Sequence, residues 1–271
     1  MGSLLAAVAS FLAARQRGQE WLLRMDDLDT PRAEAGAEDR IVDALEQHGM
    51  VPDRPMVRQS GRRQAYQAAL DRLSQLGRCY YCTCSRKSLP RGQPYPGTCR
   101  HRTTPVDDAA IRLRLPDIEI DFTDAIQGPQ RIALHRYGDP IVRRRDGIYA
   151  YALACAVDDG EPDITDVVRG ADLLRETAPQ LALMDLLGSS RPTYAHVPVL
   201  QNIEGQKLSK QSHAAPINGA AATSNLRLVF SALGLPEHPP ENVAPATLLE
   251  WAVPRFKMAA VPAHLPPGFP G

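Results

Sequence analysis

The 271-residue chain has no net charge, because 31 Lys plus Arg balance 31 Asp plus Glu. That balance removes any global electrostatic sign of nucleic-acid binding, so an RNA partner would have to be met by a local basic surface. There is also no run approaching the roughly 18 apolar residues of a membrane-spanning helix. The apolar stretch 3–14 has the look of a secretory segment, but no basic residues precede it and Arg15 and Arg17 follow it, the wrong charge order for export. Met1-Gly2-Ser3 is not a myristoylation start, since position 6 is Ala. No internal repeat is visible. The cysteine pattern does not suit a disulfide framework: there are five, and four of them (Cys79, Cys82, Cys84, Cys99) fall within 21 positions. A reducing, cytoplasmic setting is expected from this usage.

Hydrophobic residues at 44% and charged residues at 23% suit a globular protein, long enough for one large core and a subdomain. The Ala- and Leu-rich stretch 3–17 reads as a helix packed on several sides. Trp21-Leu22-Leu23-Arg24-Met25 reads as a short buried strand ending in the acidic cluster Asp26-Asp27-Leu28-Asp29. Helices are expected at 37–48 and 61–76. Residues 79–147 break the pattern with cysteines, prolines and short strands at 111–115 and 118–122. Alternation resumes with a helix at 149–158, a strand at 164–168, a helix at 172–187, a strand at 193–197 and a loop at 206–213. Two further helices follow at 225–233 and 246–251, then a Pro-rich tail from 262 expected to be poorly ordered. The expectation is an α/β fold. It divides into a first core half (1–77), an insertion (78–147), a second core half (148–213) and a helical C-terminal region (214–271).

Cys82-Thr83-Cys84 and Cys99 offer three thiolates to a metal that favours four tetrahedral ligands, such as zinc. Tyr95, His101 and Cys79 are the candidates for the fourth, and a closed set of this kind is structural. Lys207-Leu208-Ser209-Lys210-Gln211 sets two ammonium groups three residues apart, able to stabilise a departing pyrophosphate. Asp26 lies at the carboxyl end of the first strand, where a carboxylate can meet an ammonium group. Arg169, before Gly170 at a strand end, can read a carboxylate bidentately, or can instead pair with Asp166 or Asp172.

Together and in order, these segments resemble the class I glutamyl-tRNA synthetases. Arg24-Met25-Asp26-Asp27-Leu28-Asp29-Thr30-Pro31-Arg32 is similar to the family's Arg-Ile-Glu-Asp-x-Asp-x-x-Arg segment. Tyr151-Ala152-Leu153-Ala154-Cys155-Ala156-Val157-Asp158-Asp159 resembles its Tyr-Asn-Leu/Phe-Ala-x-Val-Val-Asp-Asp helix, and Val168-Arg169-Gly170-Ala171-Asp172-Leu173 its Val-Arg-Gly-x-Asp-Leu segment. Lys207–Gln211 resembles its Lys-Met-Ser-Lys-Ser loop. The cysteine pattern with Tyr95, and the 60 residues after Gln211, point within that family to the branch that lacks an anticodon-binding domain and modifies queuosine.

The resemblance implies a Rossmann-type parallel sheet with a zinc-bearing insertion and a small helical C-terminal region. It also implies a first strand missing here, because Met1-Gly2-Ser3 matches only the end of the family's first signature. The implied reaction joins L-glutamate to ATP, supplied with Mg2+, and passes the glutamyl group to queuosine in tRNA(Asp). The alternatives are an inactive tRNA-binding relative or a fragment of a charging synthetase. Asp26, Tyr151 and Arg169 would hold glutamate, and Gly2 and Lys210 ATP. Lys207 would assist Lys210, and Cys82, Cys84, Tyr95 and Cys99 would hold one zinc ion. A monomer with no membrane contact is expected.

Overall fold

A computed structural model describes residues 1–29, 36–89, 92–202, 219–236 and 238–269. Lys207 and Lys210 lie outside the described residues. Helix α1 (Gly2–Gln16) buries Leu4, Leu5, Val8, Ala9, Phe11, Leu12 and Ala13. It is apolar nearly all round because it is covered on several sides, which is why its sequence shows no clean stripe. The expected strand at 21–25 shortens to β1 (Arg24–Met25), paired in parallel with β2 (Val57–Arg58). Trp21 stays buried but is held by other means: its backbone N–H donates to Asp53 at 2.6 Å and its indole N–H to Ser10 at 3.1 Å.

Helices α2 (Ala37–Gln47) and α3 (Arg63–Gln75) fall close to expectation. Strands β3 (Cys79–Cys82), β4 (Ala110–Leu113) and β7 (Ile141–Arg143) form a three-stranded antiparallel sheet. Between β4 and β7, the hairpin of β5 (Glu119–Asp124) and β6 (Gly128–Ala133) leaves that sheet and joins another. That second sheet has the order β6-β5-β9-β8, with β8 (Asp166–Gly170) and β9 (Thr193–Val197). β5, β9 and β8 run parallel, and β6 is the antiparallel edge. The 78–147 segment therefore contributes to both sheets. Strand β8 begins two residues later than the spacing suggested, and a short 3-10 turn at Ala171–Leu173 precedes α5 (Thr177–Leu187).

Side-chain alternation sends Val168 and Val197 to one face of the four-stranded sheet and Val167 and Tyr194 to the other. On the first face lie α1, α6 (Ala222–Ala232) and α7 (Pro245–Ala252), packed through Leu12, Phe230 and Leu248. On the second lie α3, α4 (Tyr151–Asp159) and α5, packed through Leu70, Leu153 and Leu181. The result is helix layers on both faces of a largely parallel sheet, so ligands are expected at the carboxyl ends of its strands. The tail does not hang free over its described length: Leu265 and Phe269 pack against the first core, and Ala263 accepts a hydrogen bond from Gln127 at 3.0 Å. Among the described residues no helix is long and apolar enough to cross a membrane.

Candidate active site and cysteine knuckle

Helix α4 places Cys155 four residues after Tyr151, and Asp158 and Asp159 three and four residues after Cys155, so one stripe carries all of them. Its end is tightly packed: a Cβ on Gly160 would sit 2.7 Å from the Ala156 carbonyl and 2.8 Å from Ser189. Arg24, from β1, reaches this stripe. It donates to Asp159, to Asp26 at 2.7 Å and to the Cys155 sulfur at 3.4 Å. Asp158 accepts from Gln59 at 2.8 Å, from Arg62 at 2.7 Å and from Tyr66 at 2.9 Å. Burial nonetheless outweighs these donors and raises its carboxyl above the ordinary range. Burial also pushes the Cys155 thiol up to about 12, against the pull of Arg24, so it is a packed thiol rather than a nucleophile. The Tyr151 phenol is likewise raised by burial.

Arg169 sits at the carboxyl end of β8, nine-tenths buried. It does not pair with Asp166, whose partner is Arg17. Its Nη2 donates to Thr177 at 2.8 Å and Gln180 at 2.7 Å, and its Nε donates to His196 at 3.0 Å. Among the described residues its Nη1 has no hydrogen-bond partner, and it lies 3.7 Å from Asp159. Asp26, Tyr151, Arg169 and Gly2, more than 160 positions apart at the extremes, line one cleft of about 1390 Å³ with Arg24 and Asp159. Neighbouring Asp27 has a separate duty: it accepts the backbone N–H of Ser60 at 2.8 Å and its hydroxyl, tying the first strand to the turn after β2.

The knuckle lies elsewhere. Cys82, Cys84 and Cys99 bring their sulfurs within 4.8 Å of one another, so they could hold a metal ion. Cys84 and Cys99 are 3.6 Å apart, and the Tyr95 hydroxyl is 3.4 Å from Cys82 and 3.8 Å from Cys84. A tetrahedral ion with bonds of roughly 2.3 Å to sulfur and 2.0 Å to oxygen has ligand edges of about 3.5–3.8 Å, so the donor set fits one. Of the candidates for the fourth position, Tyr95 has its oxygen there. Cys79 packs into the second core, since three steps along a strand reverse the face, and His101 is exposed. Gly138 makes room for Tyr95: with φ of 65°, its added Cβ would lie 2.4 Å from the Tyr95 nitrogen. The Arg112 guanidinium covers the Tyr95 ring at 3.8 Å, and the Cys99 N–H donates to its oxygen at 2.8 Å.

The match to known proteins is extensive. The family model for class I tRNA synthetases (E and Q), catalytic domain, fits residues 1–225. The chain belongs to that family. Two proteins named glutamyl-Q tRNA(Asp) synthetase illustrate the likeness. That of Pseudomonas fluorescens is 47% identical over 269 residues, which is 97% of this chain and 90% of the relative. That of Thiobacillus denitrificans is 47% identical over 278 residues, 97% of this chain and 91% of the relative. Among solved structures, the glutamate tRNA ligase of Elizabethkingia meningosepticum, determined with its amino acid, aligns at a TM-score of 0.81 and 24% identity. The glutamate-tRNA synthetase of Elizabethkingia anophelis aligns at 0.80 and 24%. These alignments cover 99% and 98% of this chain but 64% and 65% of the two larger proteins, and they show that this synthetase has their fold.

Residue spacing missed Asp158 and Asp159, which line this synthetase's cleft, and the buried groups behind it around Arg169: Asp124, Thr177, Gln180 and His196. One signal was available. His196 is a polar residue inside the apolar strand Tyr194-Ala195-His196-Val197, and Asp124 ends a strand that opens a tight turn; buried polar groups in such places need partners.

Proposed function

We propose that this synthetase activates L-glutamate with ATP to glutamyl-adenylate and transfers the glutamyl group to queuosine in tRNA(Asp). The observation that carries the reading is the shared cleft, in which Asp26, Tyr151 and Arg169 converge from three separated segments. The branch within the family is supported by 47% identity to two proteins named glutamyl-Q tRNA(Asp) synthetase, each aligned over 97% of this chain.

Asp26 is well placed for the substrate ammonium, with Tyr151 beside it. Arg169 has an Nη1 with no hydrogen-bond acceptor among the described residues, available to a substrate carboxylate. Gly2, in the first turn of α1, and Lys207 and Lys210 are assigned to the ATP phosphates. In activation, a glutamate carboxylate oxygen bonds to the α-phosphorus as the bond to pyrophosphate breaks in line. No proton has to leave the attacking group, which is already an anion. The cleft therefore acts by positioning and by neutralising charge, with ATP bound as its magnesium complex. Cys82, Cys84, Cys99 and Tyr95 are assigned to one zinc ion, which would supply a closed structural cross-link rather than chemistry.

The test is ATP–pyrophosphate exchange with zinc-loaded protein. Exchange should depend on glutamate and need no tRNA. Labelled glutamate should then be attached to queuosine-bearing tRNA(Asp) and not to the same tRNA lacking queuosine. Attachment to the 3′ end of tRNA(Glu) instead would defeat the proposal.

A further inference from the structure

Three side chains form a row across adjacent parallel strands: Asp124 on β5, His196 on β9 and Arg169 on β8. Arg169 and His196 are register partners, and Asp124 pairs with Tyr194 two positions before His196. All three are buried, with exposures of 1% for Asp124, 0% for His196 and 8% for Arg169. Arg169 Nε donates to His196 Nε2, and His196 Nδ1 lies 2.6 Å from Asp124 Oδ2. A guanidinium has only donors, so His196 Nε2 must present a lone pair and the ring proton must be on Nδ1, facing Asp124. Asp124 Oδ1 meanwhile accepts three backbone N–H groups, from Ile126 at 3.0 Å, Gln127 at 2.8 Å and His196 at 3.1 Å. The carboxylate is thus held as an anion, and it dictates the tautomer. Burial and the Arg169 charge lower the His196 pKa, against the pull of Asp124, consistent with a neutral ring.

The consequence reaches the cleft. Nε is committed to His196 and Nη2 to Thr177 and Gln180. Those bonds hold the guanidinium plane and leave Nη1 as the donor edge without a hydrogen-bond partner among the described residues. We infer that Asp124 and His196 are positioning residues for substrate recognition: Asp124 sets the His196 tautomer, and His196 holds Arg169 in the pose that receives a substrate carboxylate. The inference rests on the glutamate reading above.

Asp124→Asn is the discriminating substitution because the backbone settles its orientation. The amide oxygen must stay with the three N–H groups, so the amide nitrogen faces His196 Nδ1. The ring proton is then driven to Nε2, directly against Arg169 Nε–H. The expected result is a rise of about ten- to hundredfold in KM for glutamate, with KM for ATP within about twofold. Nitrogen NMR of the imidazole should show the proton on Nδ1 in the parent and on Nε2 in the variant. His196→Phe should raise KM for glutamate to a similar extent. His196→Gln, which can return an acceptor to Arg169 Nε, should recover much of it. That pair decides the matter if Asp124→Asn does not fold. An unchanged KM for glutamate in these variants of an active enzyme overturns the positioning role alone, as does a parallel rise in both KM values. A parent protein without glutamate-dependent exchange overturns the glutamate reading, and the positioning role with it.

Discussion

Two buried aspartates show how differently the cysteine knuckle and the four-stranded sheet of this protein are held. Asp139, beside the knuckle, is wrapped by a permanent cation: Arg100 donates to it at 2.5 and 2.7 Å, the Tyr80 hydroxyl at 2.6 Å and the Leu115 N–H at 3.1 Å. Asp124, in the core sheet, has no cationic partner among the described residues and relies on backbone N–H groups and a neutral imidazole. Burial pushes both carboxyls up, and in both the donors outweigh it, so each is held below the ordinary carboxylate range. The partners differ because the duties differ. Asp139 ends in a partly exposed arginine and anchors a module. Asp124 passes its hydrogen bond inward, through His196 to Arg169 and the cleft. A similar carboxylate environment is a clamp in one place and a setting device in the other.

The largest expected effect falls on the cleft side. Arg169→Met removes the proposed carboxylate reader and leaves Asp159 with Arg24. Its kcat/KM for glutamate in the exchange assay should fall by roughly two to three orders of magnitude, the scale of a truncated buried charge pair. A fall under threefold would break the contrast at once. Next is Cys99→Ser, which should abolish stoichiometric metal binding, read by elemental analysis. Hydrogen exchange should then lose protection in Cys79–Cys82 and the Cys99–Arg102 turn, while α4 amides keep theirs. Loss of protection throughout both regions would show that the two are one cooperative unit.

Asp139→Asn comes third. It should cost about 2–3 kcal/mol in denaturant unfolding yet leave KM for glutamate unchanged, opposite to the expectation for Asp124→Asn. The smallest effect is on pH dependence. Both carboxyls have folded pKa values below their unfolded ones, so their stabilisation is present above the ordinary aspartate value of about 3.9. It is lost as pH falls through the depressed folded values. Unfolding midpoints measured between roughly pH 2 and 5 should therefore fall less steeply with acid in either Asn variant than in the parent. A steeper fall would mean the sign of the shift is wrong.

The knuckle was easy to see in the chain because its donors lie within 18 positions, Cys82 to Cys99. What the spacing left open was the fourth donor. Tyr95, His101 and Cys79 are equally near in sequence, and strand alternation together with the Gly138 contact separates them only once β3 is folded. In the cleft, helix periodicity alone puts Tyr151, Cys155 and Asp159 on one face. The choice of Asp159 over Asp166 or Asp172 as the neighbour of Arg169 depends on how α4 lies against β8. Strand ends were the weakest expectations. β6 carries Gly128 and Pro129, residues of low strand propensity, yet it pairs with β5 over six residues because the hairpin register imposes it.

By itself, then, the sequence determined what is local or cumulative: the helices, the alternation that makes an α/β core, the thiolate cluster and the family motifs in their order. Each depends on spacings of a few residues, or on many weak matches added along the chain. Tertiary structure alone decided which of the 78–147 strands joins which sheet, which oxygen completes the knuckle, and which groups surround Arg169. These are choices among partners distant in sequence, settled by packing and by the cost of burying a charge without an answer. Propensity carries no information about either.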